Sequence, residues 1–350
     1  MTEWNEATEQ QRLRRRRRRR FLYRLRQRLI EGGVLLAVLV GVFFLVKGLL
    51  PDKQPADPTV SSDSEVSQPE LYPHPVADAA TTGFSDEVDA QYAVLVDVTE
   101  GRIVAQRGAD TRVYPASVTK VLTLLTAAEH ITDYTDTYEM SFTFLNDLYL
   151  QQATVAGFSS GEQVTLLDMM YGCILPSGAD ATIGLANYIA GSEEAFAVLM
   201  NQKAAELGLT GTHFTNSSGL HDPEHYTTAL DMAVVMAAAI ENELCRQILS
   251  TYQYTTAATP QHPEGLLLTS TMFSRMYGDE PEGALIVAGK TGYTTEAGHT
   301  MVSYAEGEDG HDYIFVSMKG SGKWKATYDA INVYTAFCGS QTEADSQPEE

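Results

Sequence analysis

Residues 115–125 read P-A-S-V-T-K-V-L-T-L-L, which sets Ser117 three positions ahead of Lys120 at the head of an apolar run. If a helix begins near Ser117, the i and i+3 side chains share one face, one turn apart. An amine held there can take the hydroxyl proton, the activation that a weak serine nucleophile needs. The same residues also suit an ordinary helix start, with Pro115 before it, Ser117 near the N-cap and Lys120 in solvent. S-x-x-K recurs in many helices, so its meaning depends on the rest of the chain.

A chain of 350 residues has room for one large domain or two smaller ones. Its net charge of -22 conceals an asymmetry. Eleven arginines lie between Arg12 and Arg28, and after position 31 there remain 13 basic against 42 acidic residues. So acidic a body excludes a nucleic-acid partner, which requires a basic surface. Taken alone, the run Arg14–Arg20 also fits nucleic-acid binding or a nuclear-type signal. The stretch 32–50 behind it, however, is apolar except for Lys47 and long enough to cross a bilayer. Arginines directly before a span hold the N-terminus on the cytoplasmic side and can touch anionic head groups. The expectation is a cytoplasmic leader over 1–31, a single-pass signal-anchor over 32–50, and an extracytoplasmic body at the cell membrane. No small-residue cleavage site follows closely, so the anchor is expected to stay; a mature N-terminus beyond Leu50 would overturn this.

From Pro51 to Phe84 the chain is rich in Pro, Ser, Asp, Thr and Ala, the composition of a disordered spacer. The folded domain is expected over 85–340, with an acidic tail over 341–350. Tyr92–Val98 and Arg102–Gln106 read as strands joined by a turn at Thr99-Glu100-Gly101. Helices are expected from Pro115 through Ala128, from Val164 to Ile174, over Ala181–Ala190, over Glu193–Leu207 and over Thr227–Asn242, the last capped by Thr227 or Thr228. Thr135–Phe158 alternates loosely and suits short strands or loops. Lys290-Thr291-Gly292 is placed at the end of a strand that includes Leu285–Ala288. His299–Tyr304 and Tyr313–Lys319 read as strands, and Ala326–Phe337 as a closing helix. Strands at both ends with a helical middle predict an α+β fold, one antiparallel sheet plus a helical subdomain. Cys173, Cys245 and Cys338 are odd in number and far apart, so no disulfide framework is implied. Cys173 and Cys338 have apolar neighbours and read as small core residues.

Three short motifs now stand in order: Ser117-x-x-Lys120, Ser177-Gly178-Ala179 and Lys290-Thr291-Gly292. With them the chain resembles the serine D-alanyl-D-alanine carboxypeptidases, the low-molecular-weight penicillin-binding proteins, which share such elements with class A β-lactamases. Pro115–Lys120 is similar to the family's nucleophile block, Leu175–Ala181 to its middle motif, and Gly289–Thr294 with Ala297-Gly298 to its third. His213–Asn216, Gly219-Leu220, Tyr226–Ala229 and Asp231-Met232 match a stretch typical of the carboxypeptidases rather than the lactamases. The likeness covers about residues 85–340.

The resemblance implies a fold and a chemistry. Ser117 would attack the carbonyl between two terminal D-alanines of a peptidoglycan stem peptide, with Lys120 as general base. Ser177 would relay a proton to the leaving amine. Lys290 would attract the terminal carboxylate and help keep Lys120 neutral, within a substrate-binding strand that includes Thr291, Gly292 and Tyr293. The backbone N–H groups of Ser117 and Tyr293 would form the oxyanion hole. A β-lactam would acylate Ser117 and remain. No cofactor is implied.

Two departures stand out. The family has asparagine where this chain has Ala179, and that amide normally binds the substrate's peptide group. Many relatives also add a C-terminal β-domain and amphipathic helix, for which the N-terminal span would substitute. Ala179 therefore leaves a second reading, a catalytically weak relative that binds peptidoglycan or β-lactam. A β-lactamase or a transpeptidase fits less well, given the stretch from His213. His213, His221, Asp222 and His225 invite a zinc reading, but Pro223 interrupts the His221-to-His225 spacing and no H-E-x-x-H is present. Simpler roles remain for the other site residues. Ser177 also suits a helix cap, and Lys290 a solvated strand end. Asp97, Glu162 and Asp231 read as structural.

Overall fold

The computed structural model describes residues 73–276 and 278–338. The expected leader, span and acidic tail, and residues 51–72 of the expected spacer, lie outside the described residues. Residues 73–84, expected as the end of that spacer, are instead bound to the body. The Val76 amide donates to the Gly101 carbonyl at 3.1 Å and Val76 O accepts from Ile103 at 2.8 Å. The His74 ring lies 2.7 Å from the Leu207 carbonyl. The short strand β1 (Thr82–Gly83) then pairs parallel with β3 (Arg102–Arg107).

β3 hairpins with β2 (Tyr92–Asp97), and the main sheet runs β1-β3-β2-β10-β9-β8. Its last three strands are β8 (Ala284–Thr294), β9 (Gly298–Gly307) and β10 (Asp312–Gly320). All pairs are antiparallel except β1 with β3, so the sheet is mixed rather than antiparallel throughout. The central strands read A-V-L-V and I-F-V without alternation because both faces are covered. Ala93, Leu95, Tyr313 and Phe315 face a closing helix, Lys323–Cys338, whose Ala330, Val333 and Tyr334 complete that core. The Tyr334 hydroxyl donates to Ser303 O at 2.9 Å and accepts from the Phe315 amide at 3.0 Å, so its buried oxygen is satisfied. Val94, Val96, Ile314 and Val316 point the other way.

The helical subdomain lies on that second face. Its helices are α1 (Lys120–His130), α2 (Phe142–Leu150), α3 (Leu166–Ile174), α4 (Ala179–Ala190), α5 (Glu193–Glu206), α6 (Ala229–Glu241) and α7 (Glu243–Leu249). The ambiguous stretch from Thr135 holds the strand β4 (Thr137–Glu139), paired with β5 (Gln163–Thr165), and the helix α2. A second small hairpin joins β6 (Gln253–Thr255) to β7 (Leu267–Thr269), followed by a single helical turn α8 (Phe273–Met276). The closing helix is α9. Thr228 caps α6 by accepting from the Asp231 amide.

α1 is the hub. It packs against α3, α4, α5, α6 and α7, and every residue from Lys120 to Ala128 is buried. A helix so enclosed buries its polar residues Thr123 and Thr126 along with the apolar ones. Its first residue, the lysine, is thereby carried into the interior. All three cysteines are free and buried, Cys245 as well as the two expected in the core.

Candidate active site

The nucleophile turn differs from the simple helix start expected. Ala116–Thr119 form a 3-10 turn ahead of α1, and Ala116 sits at φ +51°. A non-glycine residue in that region is strained and needs surrounding contacts to hold it. Thr300 Oγ1 donates to the Pro115 carbonyl at 2.9 Å. Gly219 (φ +79°) lies against the Ala116 carbonyl so closely that a Cβ there would collide with it. Ser117 is not an N-cap, since no side chain caps this turn. Its half-buried hydroxyl is instead 3.1 Å from Lys120 Nζ.

Lys120 is only 2% exposed. Burial lowers its pKa to about 8, offset in part by Cys173, Glu193 and Asp180. Nζ also donates to the Ser218 carbonyl. In the structure Nζ donates to Ser117 Oγ as well; once it has lost its proton, the amine can keep its bond to the Ser218 carbonyl and take the Ser117 proton on its lone pair. The Ser218 acceptor is a main-chain group about which the sequence carries no signal.

Ser177 occupies the break between α3 and α4 at φ +68°. Gly178 takes the N-cap position of α4, so the cap reading of Ser177 fails. Its Oγ accepts from Lys290 Nζ at 2.8 Å, and Lys290 also donates to Thr291 O at 2.7 Å. Lys290 does not end a strand: β8 continues to Thr294, with Lys290 opposite Val302. At 1% exposure it is no solvated lysine. Burial holds its pKa well below the ordinary value, and the charges of Lys120 and Arg275 lower it further while Cys173 opposes. The two lysines share one dry region, where a proton on one disfavours a proton on the other.

β8 runs directly against the nucleophile. A Cβ at Gly292 would meet Thr300 Oγ1 and approach Ser117 N to 2.7 Å, so only glycine fits. The strand thus passes beside the Ser117 amide with Tyr293 next along it. The Tyr293 ring is exposed and stacks on His299 at 4.5 Å. Thr291 is buried, its Oγ1 2.8 Å from Thr271 Oγ1.

Ala179 is the first residue of α4, with its amide on the Thr154 carbonyl at 2.8 Å. Asp180 does not replace the missing amide. Its carboxylate accepts from the amides of Ala156 at 2.7 Å, Gly157 at 3.0 Å and Phe158 at 3.2 Å, pinning that loop to α4. Burial raises its pKa against those bonds.

Asp97, Glu162 and Asp231 have structural partners. Asp97 pairs with His311, Glu162 with Thr259 and His262, and Asp231 with Gly211 and Thr212. Two histidines of the zinc reading are engaged as well: His213 Nδ1 is 2.7 Å from Glu224 O, and His225 is buried against Thr119. Sequence reasoning missed Arg275, on α8. It is half-buried with no acidic partner among the described residues, and its charge acts on Lys290 and His299. A lone arginine far from any motif offers no sequence signal.

A family model described as peptidase S11, D-alanyl-D-alanine carboxypeptidase, matches residues 78–322. The chain is 30% identical over 222 residues to D-alanyl-D-alanine carboxypeptidase DacF of Bacillus subtilis, covering 62% of this chain and 54% of that protein. It spans about half the length of the curated relatives it matches. The Streptomyces K15 DD-transpeptidase is similar in fold, with TM-score 0.63 at 24% identity over 71% of this chain and 97% of that one. Penicillin-binding protein 5 from Haemophilus influenzae gives 0.64 at 25% identity, covering 72% of each chain.

Proposed function

Because the chain belongs to the peptidase S11 family of D-alanyl-D-alanine carboxypeptidases, we propose that it removes the terminal D-alanine from peptidoglycan stem peptides through an acyl-enzyme on Ser117. The observation that carries this reading is the buried Lys120 amine 3.1 Å from Ser117 Oγ, with its pKa lowered to about 8. Lys120 takes the hydroxyl proton as Ser117 attacks. The amides of Ser117 and of Tyr293, the residue that follows Gly292, receive the oxyanion. Ser177, held by Lys290, relays to the departing D-alanine amine the proton that Lys120 took from Ser117, which leaves Lys120 neutral again. The charge of Arg275 attracts the terminal carboxylate beside Thr291, and the carboxylate in turn favours a proton on Lys290. Water then cleaves the ester. A β-lactam opened by Ser117 leaves no departing group and stays attached. The apolar run 32–50 behind the arginine leader supports an anchor that keeps this chemistry beside the wall.

Incubating the full chain with diacetyl-Lys-D-Ala-D-Ala and with a fluorescent penicillin tests the reading. Release of D-alanine together with labelling is expected, and kcat/KM should rise with pH through about 8 as Lys120 loses its proton. Labelling without release would favour the second reading, a binding relative, for which Ala179 speaks. Ala179→Asn is expected to raise kcat/KM on the peptide about tenfold, the order of one well-placed hydrogen bond to substrate. An unchanged or lower rate would mean that substrate is oriented by other groups.

A further inference from the structure

Loop 213–226 touches the nucleophile turn and the base at once. It closes on itself through the His213–Tyr226 bridge. Within it, Asn216 Oδ1 accepts from the amides of Ser218 at 3.2 Å and Gly219 at 2.7 Å. Glu193 accepts from the Ser217 amide at 2.9 Å and hydroxyl at 2.6 Å. Thr123 on α1 donates to Ser217 O at 2.6 Å, and Lys120 Nζ donates to Ser218 O. The backbone acceptor of the base therefore belongs to this arch.

His225 lies inside the arch, 2% exposed, with the Phe214 ring edge-on at 5.1 Å. Its Nδ1 is 3.1 Å from the Thr215 amide. A backbone N–H can only donate, so Nδ1 is the acceptor and the ring proton sits on Nε2. Nε2 then donates to Thr119 Oγ1 at 2.8 Å. Thr119 ends the turn that carries Ser117 and directly precedes Lys120.

We propose that His225 is a positioning residue for the base: bonded to Thr215 at one ring nitrogen and to Thr119 at the other, it locks the arch onto the nucleophile turn and holds the Ser218 carbonyl against Lys120. The catalytic part of this inference rests on Lys120 acting as the base. Protonation of the ring would turn Nδ1 into a donor facing the Thr215 amide, costing that bond and leaving only the longer contact to the Thr215 hydroxyl at 3.4 Å. Burial prevents that, lowering the His225 pKa to about 3, with Asp222 opposing and His213, Lys120 and His221 adding to the shift. Around Lys120 itself stand Cys173, Glu193, Asp180 and Lys290. Cys173, Asp180 and Lys290 stand outside the arch, while Glu193 is tied to it through Ser217. A loosened arch admits water to Lys120, which relieves the desolvation that depresses its pKa.

The test compares the full wild-type chain with His225→Ala, His225→Gln and Thr119→Val. Rates are expressed per penicillin-titrated site, and the Lys120 side chain is titrated directly by NMR. His225→Ala and Thr119→Val are expected to lower kcat about tenfold or more with little change in KM, as for a misplaced catalytic group. Both should move the Lys120 titration, and with it the rising limb of kcat/KM, upward by about one pH unit. The glutamine of His225→Gln can both accept from Thr215 and donate to Thr119, and this variant is expected to keep the wild-type titration. A Lys120 titration left in place by both His225→Ala and Thr119→Val overturns the proposal, whatever their rates. If His225→Ala does not fold, Thr119→Val carries the same test. Because the titration is read without turnover, an inactive wild type would count against the carboxypeptidase reading and leave the arch still decided by the NMR result.

Discussion

Replacing Ser117 with alanine is expected to abolish D-alanine release and covalent penicillin labelling together. The change removes the hydroxyl oxygen proposed to form the acyl bond and leaves the rest of the site in place. The hydroxyl caps no helix, so the turn, still held by Thr300 and Gly219, has no structural need of it. The loss should reach about 10⁴-fold or more in kcat, the order seen when a serine nucleophile is deleted. Thermal stability should change little. Labelling that survives the substitution would show that the acylated residue lies elsewhere and would sink the assignment.

Lys120→Met is expected to silence the enzyme as completely while making the protein more stable at neutral pH. The side chain is 2% exposed, and its pKa falls from 10.5 to about 8. A depressed pKa means that the folded state binds its proton more weakly than the unfolded state does. The associated stability is present above pH 10.5 and is lost as pH falls through about 8. Near pH 7 the wild type therefore carries about 3 kcal/mol of unfavourable burial. Methionine fills similar volume without charge, although it leaves the Ser218 carbonyl short of a donor. The net expectation is a Tm several degrees higher at pH 7, with the gap over wild type closing above pH 10.5. A variant that is less stable than wild type at pH 7 would show that the hydrogen bond to Ser218 outweighs the desolvation.

Much of the architecture was legible because it follows from short-range pattern. The hairpin at Thr99–Gly101 and the strands β9 and β10 declare themselves by apolar content and by turn chemistry. The helical middle follows from its 3.6-residue apolar spacing and its capping threonine. Local signals misled where long-range contacts overrode them. The run 73–84 has a spacer's composition, yet it gains backbone partners on β3 and becomes an edge of the sheet. Lys290-Thr291-Gly292 contains a glycine and looks like a strand end, but pairing with β9 carries β8 past it to Thr294. Ser117 looks like a cap, but the close approach of Gly219 and Gly292 forces a tight 3-10 turn there.

Covalent order was sufficient to establish which groups the site contains: a hydroxyl and an amine three residues apart, a second serine, and a second lysine ahead of a glycine. That order along the chain was also enough to mark the family. The state of those groups came from the fold. Whether Lys120 is a solvated cation or a buried amine depends on the five helices packed around α1. How its amine is held depends on a carbonyl 98 residues away, and the setting of Ser177 on a lysine 113 residues away. Protonation and direction are set by desolvation and by hydrogen-bond partners, and both come from residues remote in sequence. The same holds for Arg275 and His225, whose importance lies entirely in what the fold brings beside them.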